Sequence, residues 1–212
     1  MTALRLHAIT VADAPYDPPT EDGKGKGRGP KLIPFRDLCA VVSEQSTFVL
    51  NETSAELVDQ HRAIVDAVFR GATVLPAPVG VVFRAPDVLK RWMELHYVSL
   101  SGALEFVDER AVARVHVVRA DGPTENLEAG SDLASAAAES LRALRRYAVA
   151  AVPLRLEEVT GLALSSAFLV ERSGWKAFLN AADEQQSAHH LLKFTVSGPW
   201  APYDFVHMQF GG

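Results

Sequence analysis

Apolar residues recur along this sequence with two different periods, and segments of the two kinds alternate from one end of the chain to the other. Residues 112–118 alternate apolar and polar side chains, as a half-buried strand does, whereas Leu57, Ile64 and Val68 are spaced like one face of a helix. Each amphipathic element has an apolar face that it must bury against another element. The sequence therefore predicts a fold in which helices pack on β-sheets.

The pattern falls into two halves on either side of a polar break at Asp121, Gly122 and Pro123. Each half combines strand segments with two amphipathic helices. We therefore predict an α+β fold of two lobes, each a ferredoxin-like sheet with helices on one face. The N-terminal lobe is expected to span residues 1–120, and the C-terminal lobe residues 121–212 with an aromatic C-terminal tail.

The composition argues against two classes of partner. The chain has 212 residues, of which 48% are hydrophobic, and this is enough to form a core without disulfides or metals. Its formal net charge is −5 at pH 7, whereas a nucleic-acid-binding protein needs cationic surface to neutralise phosphates. The same charge gives no electrostatic attraction to an anionic membrane surface. We expect neither nucleic acid nor membrane as a partner.

Cysteine usage and hydropathy indicate a location. Cys39 is the single cysteine of the sequence, so no intramolecular disulfide can form and nothing implies an oxidising compartment. Residues 1–11 lack the apolar core and cleavage site of a signal peptide, and no apolar stretch approaches the roughly 20 residues that cross a bilayer. We expect a cytoplasmic protein in which Cys39 is a small buried hydrophobe.

Two kinds of chemical site are alternatives to a protein-binding role. The Gly23–Gly29 loop alternates glycine with basic residues, which suggests a nucleotide-binding module, but it lacks the G-x-x-x-x-G-K-[ST] spacing of a phosphate-binding loop. A small α+β enzyme could instead use His61 or His96 as an acid–base group. Both histidines lie on apolar faces of predicted helices, the second in one helix that begins at Pro86, so a buried structural role is the simpler interpretation. We expect no enzyme activity, cofactor or metal.

The C-terminal segment holds the main candidates for a binding surface. Trp200, Tyr203 and Phe205 follow the last predicted strand among prolines, which hold a chain extended. The segment either folds back over an apolar face or presents an aromatic hot spot to a protein partner. A second candidate set consists of three arginines in the last turns of a predicted helix: Arg142, Arg145 and Arg146.

Several segments resemble, in the same order, those of one protein family. They are residues 37–43 (DLCAVVS), 71–83 (GATVLPAPVGVVF), 166–170 (SAFLV) and 195–206 (TVSGPWAPYDFV). Through these segments the sequence resembles the GvpL/GvpF family of gas-vesicle proteins, and the terminal G-P-W-x-P-Y-x-F is the most specific match.

The resemblance implies an accessory or minor component of gas vesicles, the gas-filled protein shells that give prokaryotic cells buoyancy. Such a protein is expected at the gas vesicle and in the cytoplasm, as an assembly factor rather than an enzyme. The implied partners are the small hydrophobic shell protein and other gas-vesicle accessory proteins. A shell protein with a large apolar face must be kept from aggregating before it assembles, which gives the role a physical motive.

Overall fold

The computed structural model describes residues 3–14, 29–45, 53–120, 128–154 and 162–208. The elements up to residue 107 are β1 (Ala3–Val11), β2 (Lys31–Phe35), β3 (Leu38–Gln45), α1 (Ala55–Gly71), β4 (Val74–Pro76), β5 (Val82–Phe83), α2 (Pro86–Leu95) and α3 (Tyr97–Val107). The later elements are β6 (Arg110–Arg119), α4 (Glu128–Arg145), β7 (Ala150–Pro153), β8 (Leu162–Glu171), α5 (Trp175–Ala188) and β9 (Leu192–Trp200). None of the helices within these ranges is long and apolar enough to cross a membrane.

The chain forms two compact units, Met1–Asp108 with Ala201–Gly212, and Glu109–Trp200. The expected division after residue 120 placed β6 in the N-terminal lobe. In the structure β6 pairs with β8 and β9, and this long-range pairing makes it a central strand of the second unit. The chain then returns to the first unit at Ala201, so the aromatic tail is divided between the two units.

The second unit follows the strand–helix–strand–strand–helix–strand order of the ferredoxin-like motif. Its sheet has the order β7-β8-β6-β9 with antiparallel neighbours. Its core joins alternate residues of β6 and β8 to α4 and α5, with Val115, Leu144, Phe168 and Phe178 fully buried. Both helices therefore pack on one face of this sheet, as the sequence predicts.

The first unit has the same strand order, β2-β3-β1-β4, with β5 also pairing with β1. Its helices, however, cover both faces of the sheet rather than the one face predicted. Leu6 of β1 belongs to the core that contains Leu89 of α2 and Leu104 of α3, whereas the adjacent His7 contacts His61 of α1. Because both faces are covered, β1 is buried from Ala3 to Thr10 and shows no simple alternation of apolar and polar residues.

Local signals explain where the helices of the first unit begin and end. The Ser54 hydroxyl accepts a hydrogen bond from the Leu57 amide at 3.3 Å, which satisfies one free N–H at the start of α1. Pro86 opens α2, where its missing N–H costs nothing. The single helix predicted from Pro86 onward is in fact two, because the backbone leaves the helical region at His96 (φ −102°, ψ 8°).

The outer strands of both sheets are protected against adding further strands. β2, β4, β7 and β9 each contain a proline, which cannot donate a ladder hydrogen bond. These prolines are, in chain order, Pro34, Pro76, Pro153 and Pro199.

Candidate functional site

Leu95, at the end of α2, and Val98, at the start of α3, are the two most exposed large apolar side chains among the described residues. Val88 is 50% exposed, Leu95 76% and Val98 82%, and we call these three residues the apolar ridge. Leu89 and Met93, also on α2, are fully buried, so this helix has a buried side and an exposed side. An apolar surface that a monomer leaves in water at this level is typical of a binding surface for another protein.

The helix is interrupted at His96, within the segment that carries the apolar ridge. In one continuous helix the turn would carry on through this point, but the interruption ends α2 at Leu95 and restarts the helix at Tyr97. The His96 ring stays near the Trp92 ring, with centroids 5.1 Å apart, so the junction is anchored on its inner side. Leu95 and Val98 lie on either side of the junction, and both are exposed.

The hairpin between β2 and β3 holds the start of α3 in place. Arg36, at its tip, has a left-handed backbone (φ 55°), and its guanidinium lies 4.6 Å from the centroid of the Tyr97 ring. The Tyr97 hydroxyl donates a hydrogen bond to Asp37 at 2.6 Å, and this bond raises the pKa of Tyr97. An open groove of about 490 Å³ runs beside Leu95, lined also by Phe35 and by charged residues of α2.

The sequence prediction identified the inner face of this segment and not the apolar ridge. The signal was present: Val88, Leu95 and Val98 are apolar residues at positions i, i+7 and i+10, away from the predicted inner face. Such a second apolar stripe indicates either a helix buried on two sides or one with an unpaired face. Burial, which a sequence does not give, separates the two.

The structure does not bring Trp200, Tyr203 and Phe205 together as one exposed surface. Trp200 ends the second unit and is 40% exposed, with its Nε1 donating to the Ser197 hydroxyl at 3.2 Å. Tyr203 and Phe205 belong to the first unit and are half-buried, and the Tyr203 ring lies 6.4 Å from that of His61. Val206, which follows them, packs against the first core. The interpretation in which the tail folds over an apolar face therefore describes residues 201–208.

The glycine before Trp200 has a structural task. Gly198 has φ 130°, and an added Cβ would lie 2.5 Å from the Val112 carbonyl oxygen and 3.0 Å from the Trp175 ring. The residue lies where the pairing of β9 with β6 shifts register. Glycine is thus needed for the close approach that turns the chain toward Trp200.

Arg142, Arg145 and Arg146 lie together at the exposed C-terminal end of α4. Tyr147 and Val149, which follow directly, are 44% and 45% exposed. Within the described part of the chain, no hydrogen bond or ion pair involves the three guanidinium groups. The structure therefore places the predicted arginines in one surface patch, but gives them no partner.

His61, considered above as an acid–base group, belongs to a buried polar cluster instead. Its Nδ1 lies 3.2 Å from Nδ1 of His7, and the His7 Nε2 lies 2.8 Å from the Ser43 hydroxyl. Burial, with added repulsion from His61 and Arg5, lowers the pKa of His7 to about 3. Burial, with added repulsion from Arg5, also lowers the pKa of His61 to about 4, and the nearby Ala77 backbone partly opposes this shift. Both imidazoles are therefore held neutral at pH 7.

The remaining residues considered for acid–base, thiol or phosphate chemistry lie as follows in the structure. His96 is half-buried against Trp92 at the helix junction. Cys39 is buried, as predicted, and burial raises the pKa of its thiol. Within the described ranges, no three His, Cys, Asp or Glu side chains converge as metal ligands. Residues 23–28 of the glycine–lysine loop lie outside the described residues.

Comparison with known proteins decides the family. The model of a family described as "Gas vesicle synthesis protein GvpL/GvpF" matches residues 6–140 and 127–207. The chain belongs to the GvpL/GvpF family. The family predicted from the terminal G-P-W-x-P-Y-x-F and its companion segments is therefore confirmed, and membership supports a gas vesicle accessory role.

Similar proteins agree with this membership of the GvpL/GvpF family. Gas vesicle protein F2 of Halobacterium salinarum is 29% identical over 196 residues, covering 90% of this chain and 86% of the relative. Gas vesicle protein F1 of the same organism is 22% identical over 188 residues, covering 84% of this chain and 82% of the relative.

Two crystal structures of GvpF share the fold of this GvpL/GvpF family member. That from Anabaena gives a TM-score of 0.75 at 14% identity, covering 100% of this chain and 99% of the other. That from Microcystis aeruginosa gives 0.73 at 11% identity, covering 98% and 100%. At these identities the comparison shows the fold alone, and it confirms the predicted two-lobe α+β architecture.

Proposed function

We propose that this protein is a gas-vesicle assembly factor that binds the hydrophobic shell protein and other accessory proteins while the vesicle forms. The observation that carries the proposal is the apolar ridge of Val88, Leu95 and Val98, which leaves 50–82% of each side chain in water. Membership of a gas vesicle synthesis family supplies the setting. The protein would act in the cytoplasm and at the growing vesicle.

The energetics suit a transient contact with an apolar partner. Fully burying a Val or Leu side chain contributes about 1.5–3 kcal/mol, so covering Leu95 and Val98 contributes about 3 kcal/mol together. This corresponds to about a hundredfold in Kd. Such a contribution is enough to favour binding of an apolar segment, and small enough to allow its release into the shell.

Trp200 offers a second contact on the other unit, because its large ring is partly exposed and its N–H already has a partner in Ser197. Tyr203 and Phe205 are weaker candidates, since the fold already uses part of their surface. All three remain candidates for separate contacts with a partner, in that order of importance.

The test replaces the ridge without disturbing the core. In the double variant Leu95→Gln, Val98→Gln, two exposed apolar side chains become polar ones that still permit a helix. Leu191→Gln, at a position of the second unit that is 53% exposed, is the matched control. Shell protein is diluted from denaturant with increasing amounts of each variant, and its aggregation is followed by light scattering.

We expect the wild type and Leu191→Gln to suppress aggregation alike, and the double variant to need about a hundredfold more protein. Circular dichroism must show that the double variant stays folded. Equal suppression by the double variant would rule out the ridge as the binding surface. No suppression by the wild type at any ratio would refute shell-protein binding itself.

A further inference from the structure

We propose that the arginine-rich end of α4 is a docking site for an acidic peptide segment of a partner protein, separate from the surface that binds the shell protein. The site consists of Arg142, Arg145, Arg146, Tyr147 and Val149, and we call it the arginine patch. It lies in the second unit, whereas the apolar ridge lies in the first. The proposal does not depend on shell-protein binding.

The geometry of the helix end gathers the three cations. Arg142 is three residues before Arg145 and four before Arg146, and residues at these spacings are neighbours on a helix surface. The helix then tightens, because the amides of Arg146 and Tyr147 donate to the carbonyls of Ala143 and Leu144, three residues earlier. The cations are therefore presented together by a single turn.

The patch stands on rigid structure. Leu144, within the same turn, is fully buried in the second core. Just after the turn, the Val149 amide donates to the Leu169 carbonyl at 2.8 Å and the chain enters β7. A side chain on such a support loses less freedom on binding than one on a loop, because its backbone is already fixed.

The charges select the partner. Three positive side chains lie within five consecutive residues of a chain whose formal net charge is −5, and none of them forms an ion pair with a described residue. A guanidinium binds a carboxylate through two parallel hydrogen bonds, so the patch can take two or three carboxylates of one peptide. The helical rise makes it about 6 Å long, too short to follow a nucleic-acid backbone, whose binding needs many phosphate contacts.

The apolar neighbours define the peptide further. Tyr147 and Val149 expose almost half of their surface beside the arginines. A fully acidic segment would leave this apolar surface exposed to solvent, whereas a segment with an apolar side chain next to its carboxylates would bury it. The partner segment is therefore an acidic peptide that also carries aliphatic or aromatic residues.

The experiment measures fluorescence anisotropy with the full-length protein and three labelled peptides. The first alternates pairs of glutamates with leucines, the second has glycine in place of leucine, and the third has lysine in place of glutamate. The variant Arg142→Gln, Arg145→Gln, Arg146→Gln removes the charges of the patch. The variant Arg62→Gln, Arg70→Gln, Arg91→Gln, at exposed arginines of the first unit, changes the net charge equally and is the matched control.

We expect saturable binding of the glutamate–leucine peptide and weaker binding of the glutamate–glycine peptide. The patch variant should bind the first peptide about tenfold more weakly, because three exposed ion pairs that contribute about twofold each multiply to about that factor. The control variant should change affinity less than about twofold. Tyr147→Ala should weaken binding of the leucine peptide but not of the glycine peptide.

Four results would overturn the proposal. The first two are no saturable binding of the glutamate–leucine peptide up to millimolar concentration, and equal binding of the lysine peptide. The third is an equal loss of affinity in both triple variants. The fourth is stronger competition by a single-stranded oligonucleotide than by unlabelled peptide. Self-association that the patch variant abolishes, seen by sedimentation, would assign the patch to a second copy of this chain instead.

Discussion

Acidification should unfold the first unit by protonating two buried histidines. His7 and His61 face one another at 3.2 Å, with the Ser43 hydroxyl on the far side of His7 and the Tyr203 ring beside His61. Arg5 is also buried on the same strand, and its charge disfavours a further positive charge on either imidazole. Protonating either histidine is therefore unfavourable while the sheet and α1 remain packed.

The magnitude follows from the pKa values. Folding lowers the pKa of His7 from 6.5 to about 3 and that of His61 from 6.5 to about 4. Below pH 6.5 the unfolded chain therefore binds up to two more protons than the folded chain. The stability is complete above that pH and is lost as the pH falls toward 4, by about 2.7 kcal/mol per pH unit. At about pH 5 the loss reaches about 4 kcal/mol, a large part of a typical domain's 5–15 kcal/mol.

The assay must separate the two units, because each can unfold by itself. The protein is unfolded in urea at a series of pH values and labelled by short pulses of hydrogen exchange. Mass spectrometry of peptides from α1 then reports unfolding of the first unit, and that of peptides from α5 reports unfolding of the second. We expect the free energy of unfolding of α1 to fall with pH. His7→Gln and His61→Gln should each reduce the slope by about half.

His190→Gln removes an exposed imidazole of the second unit and is the control, which should keep the wild-type slope. The reasoning would be refuted if the double variant His7→Gln, His61→Gln kept the full slope between about pH 6.5 and about pH 5, because other groups would then carry the titration.

Two further predictions concern the backbone. Gly198→Ala should destabilise the second unit by about 3 kcal/mol, because the φ of 130° and the 2.5 Å distance from an added Cβ to the Val112 oxygen leave no room for a side chain. Urea unfolding followed on α5 peptides measures this change in the free energy of unfolding. A loss below about 0.5 kcal/mol would contradict the prediction. Ser54→Ala should lower the free energy of unfolding of the first unit by about 1 kcal/mol, because α1 loses its N-cap hydrogen bond, whereas Ser54→Asp should change it little. An equal loss of stability in both variants would show that the cap does not stabilise this helix.

Much of the fold was predictable because its signals are local. Ser54 and Gly71 limit α1, Pro86 opens α2, and the apolar run from Leu38 to Val42 is a strand buried on both faces. The family was also predictable, because four segments, the last of them containing G-P-W-x-P-Y-x-F, resemble those of the family in the same order. These features depend on neighbours within a few residues, which a sequence displays directly.

The division of the chain was less predictable. A polar break at residues 121–123 suggested a boundary, but β6 before it pairs with β8 and β9 after it. Alternation of apolar and polar residues identifies a strand without identifying its partners, because many strands present similar edges. The candidate surfaces show the same limit: the arginines were found from helical spacing, whereas the apolar ridge is identified by the exposure of its residues in the structure.

The sequence by itself determined where α1 and α2 begin, that residues 38–42 form a buried strand, and to which family the chain belongs. Tertiary structure alone decided that α1 covers one face of the first sheet while α2 and α3 cover the other, and that His7 and His61 meet in the interior. It also decided that Trp200 ends one unit while Tyr203 joins the other. The physical reason is range: helix and strand periods arise from neighbouring residues, whereas burial is set by contacts between residues far apart in the chain.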